Sequence, residues 1–490
     1  MMLVLASNLS IAEKVTDIIV KLVDYIPEAL LMASILLLVL VDLILIKNGN
    51  KKIILGALCF VLLSSVLGFL IYQTFSMFDI TLFYGVKIIL LVATLGCVLL
   101  MMQDQLVKSG EHYTLVVGIL MGSFFLINSE TLLTFYLSLE VMSISAYILT
   151  VLRFSKQSAE VGLKYLLFGA TSSAIMLFGI SLVYGFSGTI VLNLIDVERM
   201  IAMVGVLPVV VAFGLMSVGL LFKIAAAPQH IWSPDVYQTA HTSVVAYFSI
   251  VPKIAGIVAF LVLITNIHLA DTWASTSLVV IAIVTMVVGN FAALWQNDIK
   301  RMLAYSSIAH TGFLLIPVIV NSHTAWQSFV FYIIIYMIMN IAAFALVMQL
   351  EKDTNTLKIS DYAGLGKSMP FIGILLLVIF LSLTGLPPTA GFTAKLLMFT
   401  SIWESYSISG DPLILSLLVA GVLNTVVALF YYLKIPYFMF IRSEGHQGFH
   451  LLKKPQLLNY FAALLVFMLL TIFFKPDWLM ELIYNINFAI

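Results

Sequence analysis

Charge is what this 490-residue sequence has least of: 10% of its residues are Asp, Glu, Lys or Arg, against 62% hydrophobic. Soluble domains carry about 25% charged residues, so a mean hydropathy of +1.12 places the chain among polytopic membrane proteins. The formal net charge is +0, and no basic block interleaves with aromatics, which excludes a nucleic-acid partner. Only two cysteines occur, Cys59 and Cys97, each inside an apolar run. They read as small core residues and exclude a disulfide framework or a cluster site. HExxH, GxSxG, Walker and dinucleotide signatures are missing from any place a strand or soluble loop could use them. Redox cofactor, nucleophile and metal sites are therefore not expected in this chain. The first 28 residues are broken by charges and lack a clean small-residue cleavage site, so no removable signal peptide is expected.

Long apolar runs are what the sequence has instead. A membrane-crossing helix needs about 20 apolar residues. Fourteen such runs lie near 26–46, 53–72, 82–102, 113–127, 130–150, 161–186, 204–226, 239–264, 274–296, 302–320, 326–350, 370–400, 412–436 and 457–474. No gap could hold a soluble domain, so residues 1–490 are expected to form one all-α membrane domain. Within it, 1–112 would hold the first three spans, 113–265 and 266–436 two five-helix units, and 437–490 the last span. An even count puts both termini on one side. Loops after odd-numbered spans hold Lys47, Lys51, Lys52, Lys108, Arg153, Lys156, Lys300, Arg301, Lys352, Lys358, Lys367, Arg442, Lys453 and Lys454. Loops after even spans, with both ends, hold only Lys14, Lys21, Arg199 and Lys475. This asymmetry predicts termini facing away from the cytoplasm.

Six lysines lie inside runs: Lys87, Lys164, Lys223, Lys253, Lys395 and Lys434. Lys87 and Lys434 are near span ends and read as snorkelling to the headgroups. Lys223, Lys253 and Lys395 have apolar residues on both sides, a placement that costs roughly 2.5–3.5 kcal/mol each. Glu140 reads as the only acid deep within a span, while Asp42 lies closer to an end. Lys164, on the next span, is a plausible partner for Glu140. A structural ion pair explains those two nearly as well as a proton site does, but leaves the other three lysines unmatched. Two spans are also interrupted alike. "FKIAAAPQHIWSPD" puts Pro228 and Pro234 after Lys223, and "SLTGLPPTAGFTAKLL" puts Pro387 and Pro388 before Lys395. Proline removes a backbone donor and breaks the helix, and broken backbone survives in a membrane only among protein or water. Interruptions five spans apart predict two inverted five-helix repeats, spans four to eight and nine to thirteen, around a transport site. His230 in the first break and His310, among Ser306, Ser307 and Thr311, add possible proton carriers.

These residues resemble the antiporter-like subunits of respiratory NADH:quinone oxidoreductase, complex I. The similarity runs through "SAEVGLKYLLFGATSSAIMLFGISLVYG", "FKIAAAPQHIWSPDVY", "FSIVPKIAG", "KRMLAYSSIAHTGF" and "LTGLPPTAGFTAKL". The "SPDVY" segment, the lysine of the twelfth span and an end after fourteen spans are similar to the subunit N branch (subunit 2 in mitochondria). The resemblance implies a proton-translocating subunit. Glu140 and Lys164 would be the modulating pair, Lys223 the channel lysine, Lys253 the connecting lysine and Lys395 the terminal one, with His230 on the path behind Lys223. NAD, FMN, iron–sulfur clusters and quinone are expected in partner subunits, with M-type and K-type subunits as neighbours in the bilayer. The implied location is a bacterial cytoplasmic membrane, with the mitochondrial inner membrane or thylakoid as alternatives. A sodium/proton antiporter subunit and a non-pumping structural subunit remain as rival readings. One segment departs from the family: "VYQTAHTSV" stands where "VYEGAPTPV" is usual, so Gln238 replaces an acid while His241 and Ser243 replace prolines.

Overall fold

The computed structural model describes residues 23–45, 50–77, 80–105, 107, 109–267, 273–442 and 456–488. Lys14, Lys21, Lys47, Lys108, Lys453 and Lys454 of the charge comparison lie outside them. Among the described residues, twelve helices are long and apolar enough to cross a membrane, and Glu111–Ile127 and Pro370–Thr384 are shorter apolar helices. Together they account for the fourteen expected spans. The seventh span is divided, as expected, into Val206–Ile224 and Trp232–Thr239, and the twelfth into Pro370–Thr384 and Ala390–Ser409. Two eight-residue helices were not foreseen: Val197–Val204 precedes the seventh span and Asp477–Tyr484 follows the fourteenth.

Spans four to six repeat in spans nine to eleven at an offset of 167 positions. Thr131 caps the fifth span through the Thr134 amide, and Asp298 caps the tenth through the Arg301 amide. Ser155 and Ser322 cap the sixth and eleventh spans, Lys156–Ser187 and His323–Thr354, each 32 residues long. Gly188 and Asn355 end those helices in the left-handed conformation, with φ of 70° and 54°. Isolated antiparallel bridges then join Thr131 to Val191 and Asp298 to Lys358. Capping side chains satisfy amides that have no partner within a helix, so the same chemistry starts and stops each helix in both units. Five is an odd number of crossings, so the second unit enters the bilayer from the opposite side to the first and the repeats are inverted.

Small residues bring the helices close. A Cβ on Gly289 would meet the Ala309 amide nitrogen at 2.5 Å, which fixes the contact between the ninth and tenth spans. The eighth and eleventh spans run through the interior, each 94% buried along its apolar stretch, with the tenth span at 89% beside them. A short parallel pairing of Ile80–Thr81 with Ile486–Asn487 ties the end of the chain to the start of the third span.

The first three spans hold a surprise. Lys87 is 1% exposed and donates to Glu28 Oε1 at 2.7 Å, and Asn128 Nδ2 donates to the same oxygen at 3.0 Å. The snorkelling expected of Lys87 is therefore wrong: it pairs with Glu28, a buried acid in the first turn of the first span. Burial of both charges tells the reason: a paired ammonium is held where an unpaired one would have to reach water. Lys434 does lie at a span end, where it donates to the Gln296 carbonyl at 2.8 Å.

Candidate functional site

Each broken helix has a lysine beside its break. The last turn of Val206–Ile224 contains Lys223, and its C-cap Ala225 is left-handed with φ of 56°. The helix Pro370–Thr384 ends at Gly385, φ 85°, and Lys395 Nζ donates to its last carbonyl, Thr384 O, at 2.8 Å. The Lys395 ammonium therefore sits at the carbonyl end of a half-helix, where free acceptors and the helix dipole favour a cation. Lys223 comes before its break and bonds Ser143 of the fifth span instead, whereas Lys395 comes after its own. The Trp232 indole donates to the Phe222 carbonyl at 2.9 Å, and the Thr285 hydroxyl accepts from the Ala227 amide at 3.0 Å. These bonds replace those lost at the first break.

Between the breaks runs a series of polar groups. Lys223 Nζ donates to Ser143 Oγ at 3.3 Å and lies within electrostatic reach of Glu140. Gly256 admits the broken helix: a Cβ there would meet Ile224 Cγ2 at 2.5 Å. Lys253, one turn earlier on the same face of the eighth span, donates to Ser307 O at 2.8 Å and Thr311 Oγ1 at 3.2 Å. The Thr311 hydroxyl in turn lies 3.0 Å from the Ile224 carbonyl. Ser307 Oγ is 3.0 Å from the Tyr336 hydroxyl and 3.4 Å from that of Tyr237. His310 Nδ1 is 2.7 Å from the Tyr332 hydroxyl and its Nε2 is 3.3 Å from that of Tyr432, which also bonds Ser306. Lys395 Nζ closes the series 4.8 Å from the ring centre of Phe313, one turn along from His310. Lys223, Lys253, Lys395 and His310 are each at most 5% exposed.

The structure thus brings together Glu140, Lys223, Lys253, His310 and Lys395, but not Lys164. Lys164 pairs with Glu160 one turn back, at 2.6 Å, with side chains 53% and 66% exposed. The face of the sixth span that meets the fifth carries Gly162 and Gly169, where a Cβ would strike Val151 and the Tyr147 hydroxyl. Lys164 points elsewhere on the helix circumference, so the expected Glu140–Lys164 contact does not form in this chain. Glu140 lies within electrostatic reach of Tyr136 and of Lys223. His230 is half-buried in the first break beside the Pro228 backbone, its Nδ1 without a partner, and touches none of the lysines.

Residues 129–427 match the family described as NADH:quinone oxidoreductase/Mrp antiporter, TM. The chain belongs to that family. Over 480 residues it is 36% identical to NADH-quinone oxidoreductase subunit N of Chlorobium chlorochromatii (strain CaD3), covering 92% of this chain and 91% of that one. A chain of respiratory complex I from Thermus thermophilus superposes with a TM-score of 0.75 at 28% identity, covering 94% of this chain and 100% of that one. A chain of the Mrp complex from Dietzia sp. DQ12-45-1b superposes at 0.79 with 20% identity over 94% and 96%, a likeness of fold alone.

Against this family background, the tyrosines are what reasoning from sequence missed. Tyr237, Tyr332, Tyr336 and Tyr432 are each at most 1% exposed. In a helix already rich in aromatics, a buried tyrosine that bonds to a histidine has the same spacing as one that only fills space. The divergent loop is built into a dense polar junction. Arg301 Nη1 donates to Asp235 Oδ1 at 2.6 Å and Gln238 Oε1 at 3.0 Å, and Ser243 donates to Asp104 Oδ2 at 2.7 Å.

Proposed function

We propose that this chain is a proton-translocating membrane subunit of a complex I-type NADH:quinone oxidoreductase. The observation that carries the reading is a buried run of three separate hydrogen-bonded groups, Lys223 with Ser143, Lys253 with Ser307 and Thr311, and His310 with Tyr332 and Tyr432, followed by Lys395 against the Phe313 ring. Ser, Thr and Tyr hydroxyls both give and accept protons, and a neutral lysine or imidazole accepts one. His310 lies within electrostatic reach of both Lys253 and Lys395, so a proton arriving on either lysine favours departure from the imidazole. Lys223 exchanges its proton as Glu140 alternates between cations, and Lys253 and His310 hand it to Lys395. Water between Lys223 and Lys253, beside the open backbone of the break, completes the path.

The driving reaction lies outside this chain. NAD, FMN, iron–sulfur clusters and quinone belong to partner subunits, and quinone reduction there shifts the balance felt at Glu140. Lys164 and Glu160 face outward on the sixth span, where an M-type or K-type neighbour in the bilayer would cover them and could draw Lys164 toward Glu140. The lysine- and arginine-bearing loops mark the cytoplasmic side of a bacterial cytoplasmic membrane, with both termini opposite. A sodium/proton antiporter subunit shares the fold, which the Mrp likeness favours. Co-isolation of the native protein with flavin and iron–sulfur subunits decides against it.

The test is Lys223→Ala in the assembled complex. Proton pumping coupled to NADH oxidation is expected to fall at least about tenfold, a bound set beneath the roughly 10²–10⁴-fold that one proton-transfer group contributes. Full pumping in that variant would refute the role of this lysine.

A further inference from the structure

The loop that departs from the family contains a histidine with nothing to bond. His241 is 3% exposed, and neither ring nitrogen has a hydrogen-bond partner. His112 lies beside it, ring centres 5.3 Å apart, with its Nδ1 held by Ser109 and its Nε2 also without a partner. Charged groups from every packed element surround the pair. Lys52, at the start of the second span, donates to the Asp104 backbone carbonyl, and Asp104 takes the Ser243 hydroxyl. Glu111 adjoins His112. Arg153 donates to the Thr239 carbonyl at 3.1 Å and stands 3.7 Å from Glu351, whose carboxylate also takes the Thr242 hydroxyl. Lys300 donates to the Ala240 carbonyl at 2.6 Å. A cavity of about 360 Å³, lined by Asp104, Arg153, Glu351 and Lys352 among others, adjoins the cluster on the lysine-rich side.

Burial pushes the His241 imidazole down, with His112, Arg153 and Lys300 adding to the effect and Asp104 opposing it. The ring is therefore neutral near pH 7 and offers one N–H and one lone pair. A buried polar atom left unpaired costs roughly 1–3 kcal/mol, and buried water normally satisfies such atoms where space allows. Two unpaired nitrogens on opposite sides of one ring suit water on both sides. Tyr237 lies four residues before His241, and its hydroxyl reaches Ser307, whose carbonyl receives Lys253.

We propose that His241, with His112 beside it, is the proton-loading relay of this subunit, passing protons from water in the Asp104–Arg153–Glu351 cavity toward Tyr237 and Lys253. A hydronium ion gives its proton to the lone-pair nitrogen and becomes water. The opposite nitrogen then releases its own proton to an inner water, leaving the other neutral tautomer. Reversal of the tautomer through His112 and water resets the ring, so one proton crosses per cycle and no bond other than N–H and O–H changes. The inference rests on the function proposed above.

The experiment uses everted membrane vesicles carrying the intact complex, with His241→Phe and His241→Gln compared with Lys223→Ala. Assembly is checked by native gel. Both His241 variants are expected to slow NADH-driven proton uptake roughly tenfold or more, and millimolar imidazole in the medium is expected to restore much of the rate. A structural role would not respond to imidazole, so an unrescued loss in either variant overturns the relay. Full rates in both variants, with Lys223→Ala impaired, overturn it while leaving the function intact. Full rates in Lys223→Ala as well overturn the reading beneath it.

Discussion

The two five-helix units match position for position until they reach the break. The offset of 167 holds from Thr131 and Asp298 through the 32-residue helices to the 3₁₀ turns at Leu192–Leu194 and Ile359–Tyr362. At the interrupted span it fails. Ala225 and Gly385, the left-handed residues that end the half-helices, are 160 positions apart, whereas Lys223 and Lys395 are 172 apart. The scaffold was kept while the site was rearranged, yet both arrangements set a buried lysine beside a helix that ends in a left-handed residue. A buried lysine beside the break, not register along the chain, is what the two halves share.

Substitutions at the two breaks can set the units against each other. Lys395→Ala should reduce coupled proton pumping by at least about tenfold, as deeply as Lys223→Ala, measured as the initial rate of vesicle acidification. A defect confined to one of the two lysines would break the equivalence of the breaks. Gly385→Ala should be the next most harmful change. A Cβ there would meet Lys395 Cδ at 2.7 Å, on backbone that already favours glycine. A loss of about 1–3 kcal/mol is expected, read as thermal stability of the detergent-purified complex, together with slower pumping as Lys395 is displaced. The reverse change should help slightly. Ala225 holds φ of 56° at a cost glycine avoids. Ala225→Gly should therefore stabilise by less than about 1 kcal/mol, the glycine's greater unfolded-state freedom offsetting part of the gain. A clear loss of stability in that variant would mean the two caps are not equivalent.

The equivalent 32-residue helices differ as well. The sixth span is 33% buried along its apolar stretch and the eleventh 94%, because the eleventh is enclosed by the eighth, twelfth and fourteenth spans. That difference explains why the Glu140–Lys164 pair was misread. Sequence order placed both on adjacent helices, but rotation of the sixth span, set by Gly162 and Gly169, turned Lys164 outward to Glu160. Lys87 was misread for a related reason. Distance from a span end says nothing about whether a partner such as Glu28, 59 residues earlier, lies across the way.

Sequence alone determined the span count, the two breaks and the deep placement of Lys223, Lys253 and Lys395. Each follows from local properties: apolar length against bilayer thickness, the missing proline amide, and apolar neighbours on both sides of a charge. Only the tertiary structure decided which charges meet. It set Glu140 within electrostatic reach of Lys223 and His310 between Tyr332 and Tyr432, and closed His241 away beside His112. Those contacts depend on helix rotation and on residues up to 129 positions apart, as in the His112–His241 pair. Hydropathy is nearly uniform around these helices and carries no mark of which face turns inward.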